Sequence, residues 1–228
     1  MTVREQRQYG QIIETSNSTI GFDLATVDKL LTTTRSVRRR LDLTRPVPTE
    51  VVLECLRLAI HATNGSNAQA WRWLIIRDPE QRRRLAMLYQ NRPPQTRTPR
   101  IYWPAADDPE AERRNTASSE FLRTHLQDVP VLVVPCILDA GGPAGWAPSI
   151  YPAVWSFMLA LRSRGLGTVL TTAHLNRKDE SQEFLGVPPD YVQACLLPVA
   201  YYTGDDFKPG PRHPIEDVCF VDRWDGPL

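Results

Sequence analysis

Apolar positions recur along the chain in two rhythms. Val27, Leu30 and Leu31 make a short helical face that runs into Thr32-Thr33-Thr34. After Pro46-Val47-Pro48-Thr49-Glu50, which punctuates the chain and starts a helix, Val52, Cys55, Leu56, Ala59 and Ile60 fall at helical spacing as far as about His61. Trp71 to Arg77 reads as a strand. Asp78-Pro79-Glu80 then supplies an N-cap, a first-position proline and a first-turn acid, and Leu85, Leu88 and Tyr89 carry that helix to about residue 90. From Asn91 to about Thr116 the chain is polar, Pro-rich and irregular, with Tyr102 and Trp103 isolated in it. A segment of that length without a period is either disordered or a functional lid, and the two aromatics favour a substrate-covering loop at about 92–117. A short helix near Ser118 to His125 leads into Val131–Leu138, an unbroken apolar run that predicts a strand covered on both faces.

The helix around Ile150 to Leu161 is the most apolar of all. Ile150, Val154, Phe157, Met158 and Leu161 form one stripe, and Tyr151, Trp155 and Leu159 form another. Such a helix is buried on several sides, by core or by a partner subunit. It stops at Arg162, Arg164 and Gly165, cations and a glycine where a helix end favours them. Thr168 to Thr172 is β-prone, Asp179 to Leu185 a short helix closed by Gly186-Val187-Pro188-Pro189, and Val192 to Tyr202 a last strand. Residues 1–22 are polar and without period, a loosely ordered arm ahead of one domain over 23–228.

Composition narrows the class. The 228 residues are 42% hydrophobic and 23% charged, ordinary for a soluble globular protein. A net charge of +1 gives no field toward nucleic acid or anionic lipid. Cys55, Cys136, Cys195 and Cys219 are far apart with no C-x-x-C pair, and no 18-residue apolar span or signal peptide is visible, so a reducing, cytoplasmic location is expected.

Two stretches carry candidate chemistry. Thr63-Asn64-Gly65-Ser66-Asn67-Ala68-Gln69 is a polar turn between a helix and an aromatic strand, either an ordinary connection or a ligand loop. Arg35-Ser36-Val37-Arg38-Arg39-Arg40 packs four guanidiniums into six residues, which suits a solvated face or a phosphate site. Absent aromatic interleaving argues against nucleic acid. Gly165-Leu166-Gly167 follows a helix and lacks a third glycine, so it is no dinucleotide fingerprint. Gly204 to Pro214 is a rigid loop carrying cations, and the tail ends in the apolar Phe220, Val221 and Trp224.

Taken together, these stretches resemble the nitroreductase family of FMN-dependent enzymes over roughly residues 27–224. Arg35-Ser36-x-Arg38 resembles the family's R-S-x-R element, which holds the flavin phosphate and pyrimidine edge. Gly65-Ser66-Asn67-Ala68-Gln69-Ala70-Trp71 resembles its S-x-N-x-Q-P-W turn, which lies against a flavin bound mainly by the partner subunit. Ala160-Leu161-x-x-x-Gly165-Leu166-Gly167-Thr168 resembles the end of its central helix, after which Leu170-Thr171-Thr172 would pass the flavin ring, and Arg212-x-Pro214 resembles a second phosphate contact. Thr63 stands where the family often has proline, Thr34 where it often has a basic residue, and Thr172 where some members have an acid, so phosphate binding would lean on Arg35, Arg212 and Lys208.

The resemblance implies an α+β fold, a central antiparallel sheet flanked by helices, in an intertwined homodimer with two FMN sites at the interface. It implies hydride transfer from NAD(P)H through flavin N5 to a small nitroaromatic, quinone or similar acceptor, with no catalytic side chain, no metal, no nucleic acid and no membrane. The cofactor contacts it implies are Arg35, Ser36, Arg38, Thr63, Asn64, Gly65, Ser66, Asn67, Gln69, Leu170, Thr171, Thr172, Lys208 and Arg212. Arg38 would face the ring near N1 and O2, and backbone N–H groups near Thr171 and Thr172 would face O4. A flavin enzyme of different chemistry, either a biosynthetic dehydrogenase or one that fragments FMN, and a non-catalytic flavin carrier remain as alternatives.

Overall fold

Val131–Leu138 forms strand β2, buried from Val131 to Ile137. Successive strand side chains point to opposite faces. Val131, Val133 and Ile137 pack with helices α2 (Thr49–Ala59) and α5 (Ala147–Arg162), whereas Leu132, Val134 and Cys136 pack with α3 (Pro79–Gln90) and α4 (Pro109–His125). Helices on both faces explain why the run is continuously apolar rather than alternating. The computed structural model describes residues 21–91, 109–139, 141 and 147–227. Residues 1–20 of the expected arm, 92–108 of the expected lid and the Gly142-Pro143-Ala144-Gly145 stretch lie outside that range.

The sheet is antiparallel throughout. Strand β1 (Trp71–Ile76) pairs with β2 from Trp71↔Ile137 to Ile76↔Leu132. On the other side of β2 lie β4 (Tyr191–Gln193) and β5 (Leu197–Tyr201), and β3 (Leu166–Gly167) pairs with β5 at the far edge. With α1 (Leu24–Thr33) and α6 (Lys178–Leu185) added, the fold is α+β, as expected.

Three local expectations change. The strand expected over Val192–Tyr202 is two strands. Gln193 pairs with Cys136 and Leu197 with Val133, so three residues oppose two and the chain bulges. Pro135 lies inside that gap; it has no N–H to give the ladder, and it instead accepts the Ala194 N–H at 2.8 Å. Thr168–Thr172 is not a strand, because the edge strand is Leu166–Gly167 and only Thr171 bridges onward, to Leu196. Helix α4 begins at Pro109 rather than near Ser118. It shows no apolar period to read, being held at its surface by pairs such as Arg113–Glu110 at 2.7 Å.

The α5 stripe of Ile150, Val154, Phe157, Met158 and Leu161 is buried, whereas Trp155 remains 42% exposed. The expected start of α3 is confirmed: the Asp78 side chain accepts the Gln81 N–H at 2.9 Å, with Pro79 at the first helical position.

His174 is fully buried, in the single turn after Thr172, and burial lowers its pKa to about 4. The Gln193 side chain pulls weakly the other way, but neither ring nitrogen has a hydrogen-bond partner of acceptable geometry, so desolvation dominates. The folded pKa lies below the unfolded value of about 6.5. Stability from neutral His174 is therefore present above pH 6.5 and lost as pH falls toward 4. Between pH 7.5 and 5 the loss is about 2 kcal/mol. Urea midpoints at the two pH values measure it, and His174→Gln is expected to flatten that part of the profile; an unchanged slope would assign it to other groups.

Candidate functional site

The arginine-rich segment is strapped to the β3 edge of the sheet. The Val37 N–H donates to Thr168 O at 2.9 Å, Leu41 bridges to Tyr202, and the Asp42 N–H donates to Tyr201 O at 2.7 Å. Val37 and Leu41 are buried against Gly167, where an added Cβ would lie 2.9 Å from Val37 Cγ1 and 3.2 Å from Leu41 Cδ2. The glycine is what lets the segment come this close. Here a cleft of about 540 Å³ opens, lined by Arg35, Ser36, Arg38 and Arg39 together with Arg114 and Ser118 of α4.

The four arginines of the run differ in role. Arg40 is tied down: its Nε donates to Thr203 O at 2.6 Å, Nη2 donates to Asp205 O, and the guanidinium lies 4.1 Å from the Phe207 ring centre. Arg35 Nη1 reaches Lys208 O at 3.5 Å, which sets the C-terminal loop beside the cleft. That loop is anchored by Asp206, whose carboxyl is held well below the usual range by Lys29 and Arg162. Arg38 is half-buried, and desolvation lowers its pKa; Tyr89 opposes this weakly. It makes no hydrogen bond or ion pair among the described residues. A desolvated guanidinium without a counter-charge is costly, and it suits a site built for an anion.

The Leu170-Thr171-Thr172 segment follows Thr168, which holds Val37, and reaches Tyr89, the phenol that acts on Arg38. Thr171 exchanges both backbone hydrogen bonds with Leu196, at 3.0 and 2.7 Å, and its hydroxyl donates to Tyr89 Oη at 3.3 Å. Its N–H is thus spent in the sheet, a correction to the expectation of a free donor there. The N–H groups of Leu170 and Thr172 are without partners among the described residues, and both residues are exposed.

The 63–69 turn is fastened from beneath and open above. The Gly65 N–H donates to Ser149 Oγ at 3.2 Å, and Asn64 Oδ1 accepts the Gln69 N–H at 2.9 Å. Ser66, Asn67 and Gln69 have φ of 53°, 51° and 49°. Three non-glycine residues in the left-handed region cost roughly 1 kcal/mol each. Thr63 and residues 65–69 are exposed, so this strained polar surface is presented outward.

The structure does not bring all the expected contacts together in one chain. Trp71, just after the turn, pairs at the Ile137 end of β2, whereas Leu166 pairs with Tyr201 beyond the Val131 end and on the opposite sheet edge. The turn and the arginine segment are therefore separated by roughly 14 Å across the strands and roughly 20 Å along them. Arg212 folds back to donate to Pro211 O at 2.8 Å, and neither it nor Lys208 lines the cleft. Sequence reading missed Tyr89, Arg114 and Ser118. Tyr89 sits on a helical apolar face and reads as core, Arg114 falls in the stretch without period, and Ser118 opens the expected short helix with no signal beyond that.

An antiparallel sheet between two helix layers, with a cationic cleft at one edge and a strained polar turn at the opposite corner, places the chain in a class of α+β proteins. The nitroreductase family model matches residues 31–201, and the chain belongs to that family. It is 26% identical over 184 residues to iodotyrosine deiodinase from Thermotoga neapolitana, covering 81% of this chain and 91% of that protein. Iodotyrosine deiodinase 1 of Homo sapiens is 24% identical over 199 residues, covering 83% of this chain and 66% of the human protein. Among solved structures, iodotyrosine deiodinase bound to FMN and 3-iodo-L-tyrosine matches with a TM-score of 0.58 at 25% identity, over 80% of this chain and 93% of that one. The FMN-dependent nitroreductase NfnB from Mycobacterium smegmatis, in complex with NADPH, matches with a TM-score of 0.66 at 17% identity, over 88% and 100%, a likeness of fold alone.

Proposed function

We propose that the chain is an FMN-dependent oxidoreductase that works as a homodimer and passes reducing equivalents from NAD(P)H to a small organic acceptor such as a nitroaromatic or a quinone. The observation that carries this is Arg38, half-desolvated and without a counter-charge among the described residues, in a cleft it shares with Arg35 and Ser36. The donor set fits the cofactor. Arg35 and Ser36 would take the phosphate and Arg38 the electron-rich edge of the ring, whereas Lys208 and Arg212, which do not line the cleft, would have to turn toward it to add to the phosphate contacts. The free N–H groups of Leu170 and Thr172 would face the ring's other carbonyl edge. When bound, FMN supplies hydride chemistry at N5.

The residues of the chain bind, orient and set charge. Arg38 keeps its proton at any working pH, so it favours negative charge on the group it touches. The turn at 63–69 of a second copy, with its outward amides and hydroxyl, would complete the site that a single chain leaves at opposite corners. The exposed Trp155 on α5 is where that copy would seat.

A second reading is deiodination, favoured by the deiodinase relatives that match over four fifths of the chain. The purified protein should be yellow, release FMN on denaturation, sediment as a dimer and oxidise NADH or NADPH with a quinone present. A colourless protein that also ignores added FMN would sink the proposal. Flavin retained without NAD(P)H oxidation, but with iodide released from 3-iodotyrosine under dithionite, would select the second reading. Trp155→Asp is expected to yield monomers that have lost FMN; a folded monomer that keeps it would contradict the shared site.

A further inference from the structure

We infer that Asp206 is a positioning residue of the cofactor site. By clasping Lys29 and Arg162 it fixes the 203–208 loop, and the Lys208 carbonyl then holds the Arg35 guanidinium at the phosphate end of the cleft. The inference rests on the flavin reading above and concerns a residue that acts through Arg35, not on the cofactor itself.

The clasp joins segments far apart in the chain. One Asp206 carboxylate oxygen takes Lys29 Nζ of α1 at 2.9 Å. The other takes Arg162 Nη2 of α5 and also accepts the Phe207 N–H at 2.9 Å. The two arms differ in weight. The Arg162 side chain is 11% exposed and that of Lys29 66%, so the first arm is shielded from water and salt and the second is not. Arg162 is itself braced, with Nη1 donating to Tyr202 Oη at 2.5 Å and Nη2 to Thr33 Oγ1 at 3.3 Å.

The residues that follow the clasp are the ones the cleft uses. Phe207 lines it, under the Arg40 guanidinium at 4.1 Å and against the Tyr202 ring at 4.9 Å. Lys208 comes next, and its carbonyl accepts from Arg35 Nη1 at 3.5 Å, the one hydrogen bond of that side chain among the described residues. From Lys208 to His213 no backbone N–H has a partner among the described residues, so the place of the Lys208 carbonyl is set from the Asp206 side. Arg35 is exposed, and a long guanidinium held before its anion arrives loses less freedom on binding. At 3.5 Å the carbonyl orients the fork without competing strongly with a phosphate.

A double-mutant cycle on the full chain tests this, with FMN and riboflavin titrated into each apo-protein and read from flavin fluorescence. Asp206→Ala is expected to weaken FMN about tenfold, the worth of one oriented charge-assisted contact, and riboflavin by no more than about twofold. In the Arg35→Ala background the Asp206→Ala loss should vanish to within about twofold, because there is no longer a guanidinium to hold. Lys29→Met removes the exposed arm alone and should give a smaller loss of FMN in the same direction. If Asp206→Ala fails to fold because Arg162 is left without its partner, Lys29→Met in the same cycle carries the test. Equal loss of both flavins, an FMN loss that survives in Arg35→Ala, or FMN affinity unchanged in every folded variant overturns the inference. A wild-type protein that binds no flavin, or an Arg35→Ala variant that binds FMN as the wild type does, takes the reading of the site down as well. A flavoprotein that needs Arg35 but not Asp206 takes down this inference alone.

Discussion

Gly167→Val is expected to weaken FMN binding on the order of a hundredfold while leaving most of the sheet intact. At Gly167 even a single added carbon would sit 2.9 Å from Val37 Cγ1, 3.0 Å from Val37 Cβ and 3.2 Å from Leu41 Cδ2. Val37 and Leu41 are both buried, and no flexible side-chain end is there to yield. Accommodating valine means lifting the strap, which pulls Val37 N–H from Thr168 O and carries Arg35 and Arg38 away from Leu170 and Thr172. Overpacking of this kind costs about 1–3 kcal/mol. The strap is an edge feature, so the cost falls on the site before it falls on the core. Gly167→Ala should show the same loss in milder form. Far-UV circular dichroism and FMN titration of the apo-protein measure the two effects separately. Wild-type affinity in Gly167→Val would mean that the close approach does not hold the arginines in place.

Arg35→Ala is expected to cost tenfold to a hundredfold in FMN affinity and almost nothing in riboflavin affinity, since riboflavin lacks the phosphate. A charge-assisted hydrogen bond is worth roughly 1.5–3 kcal/mol, and about 1.4 kcal/mol is tenfold. Arg38→Ala should weaken both flavins and lower the reduction potential, because Arg38 is assigned to the ring. The apo-protein adds an independent sign. Arg38 is partly desolvated and has no counter-charge among the described residues, so Arg38→Met, which keeps the length and removes the charge, should leave the melting temperature of the apo-protein unchanged or raised while weakening FMN. Groups held at a cost to stability are what a binding site leaves behind when its ligand is absent. Titrating FMN and riboflavin into the apo variants, with thermal melts alongside, decides it. If Arg35→Ala loses both flavins equally, Arg35 holds the fold or the dimer and its phosphate role is wrong. If Arg38→Met melts well below the wild type, its guanidinium is structural.

The amino-acid order by itself determined the elements whose cause is local or whose burial is complete. Val131–Leu138 had to be an interior strand because eight consecutive positions without a charge admit no solvated face. Asp78-Pro79 had to open a helix because cap and ring geometry act within one turn. The motifs around Arg35, Gly65 and Gly165 were legible through their resemblance to the nitroreductase family, to which the chain belongs. What depends on distant partners was not legible. The strand after Tyr191 breaks because Pro135, more than fifty residues earlier, has no N–H to offer. Thr171 gives its N–H to Leu196, and the Arg40 guanidinium is taken up by Phe207 and two carbonyls. Helix α4 starts nine residues before its expected place because its first turns carry no apolar stripe to read and, of its described residues, only Leu122, further along, is buried against the sheet. Only the tertiary structure set the 63–69 turn and the arginine strap at opposite corners of one sheet, because strand order and register are agreed between segments far apart in the chain, and periodicity within a segment carries no record of them.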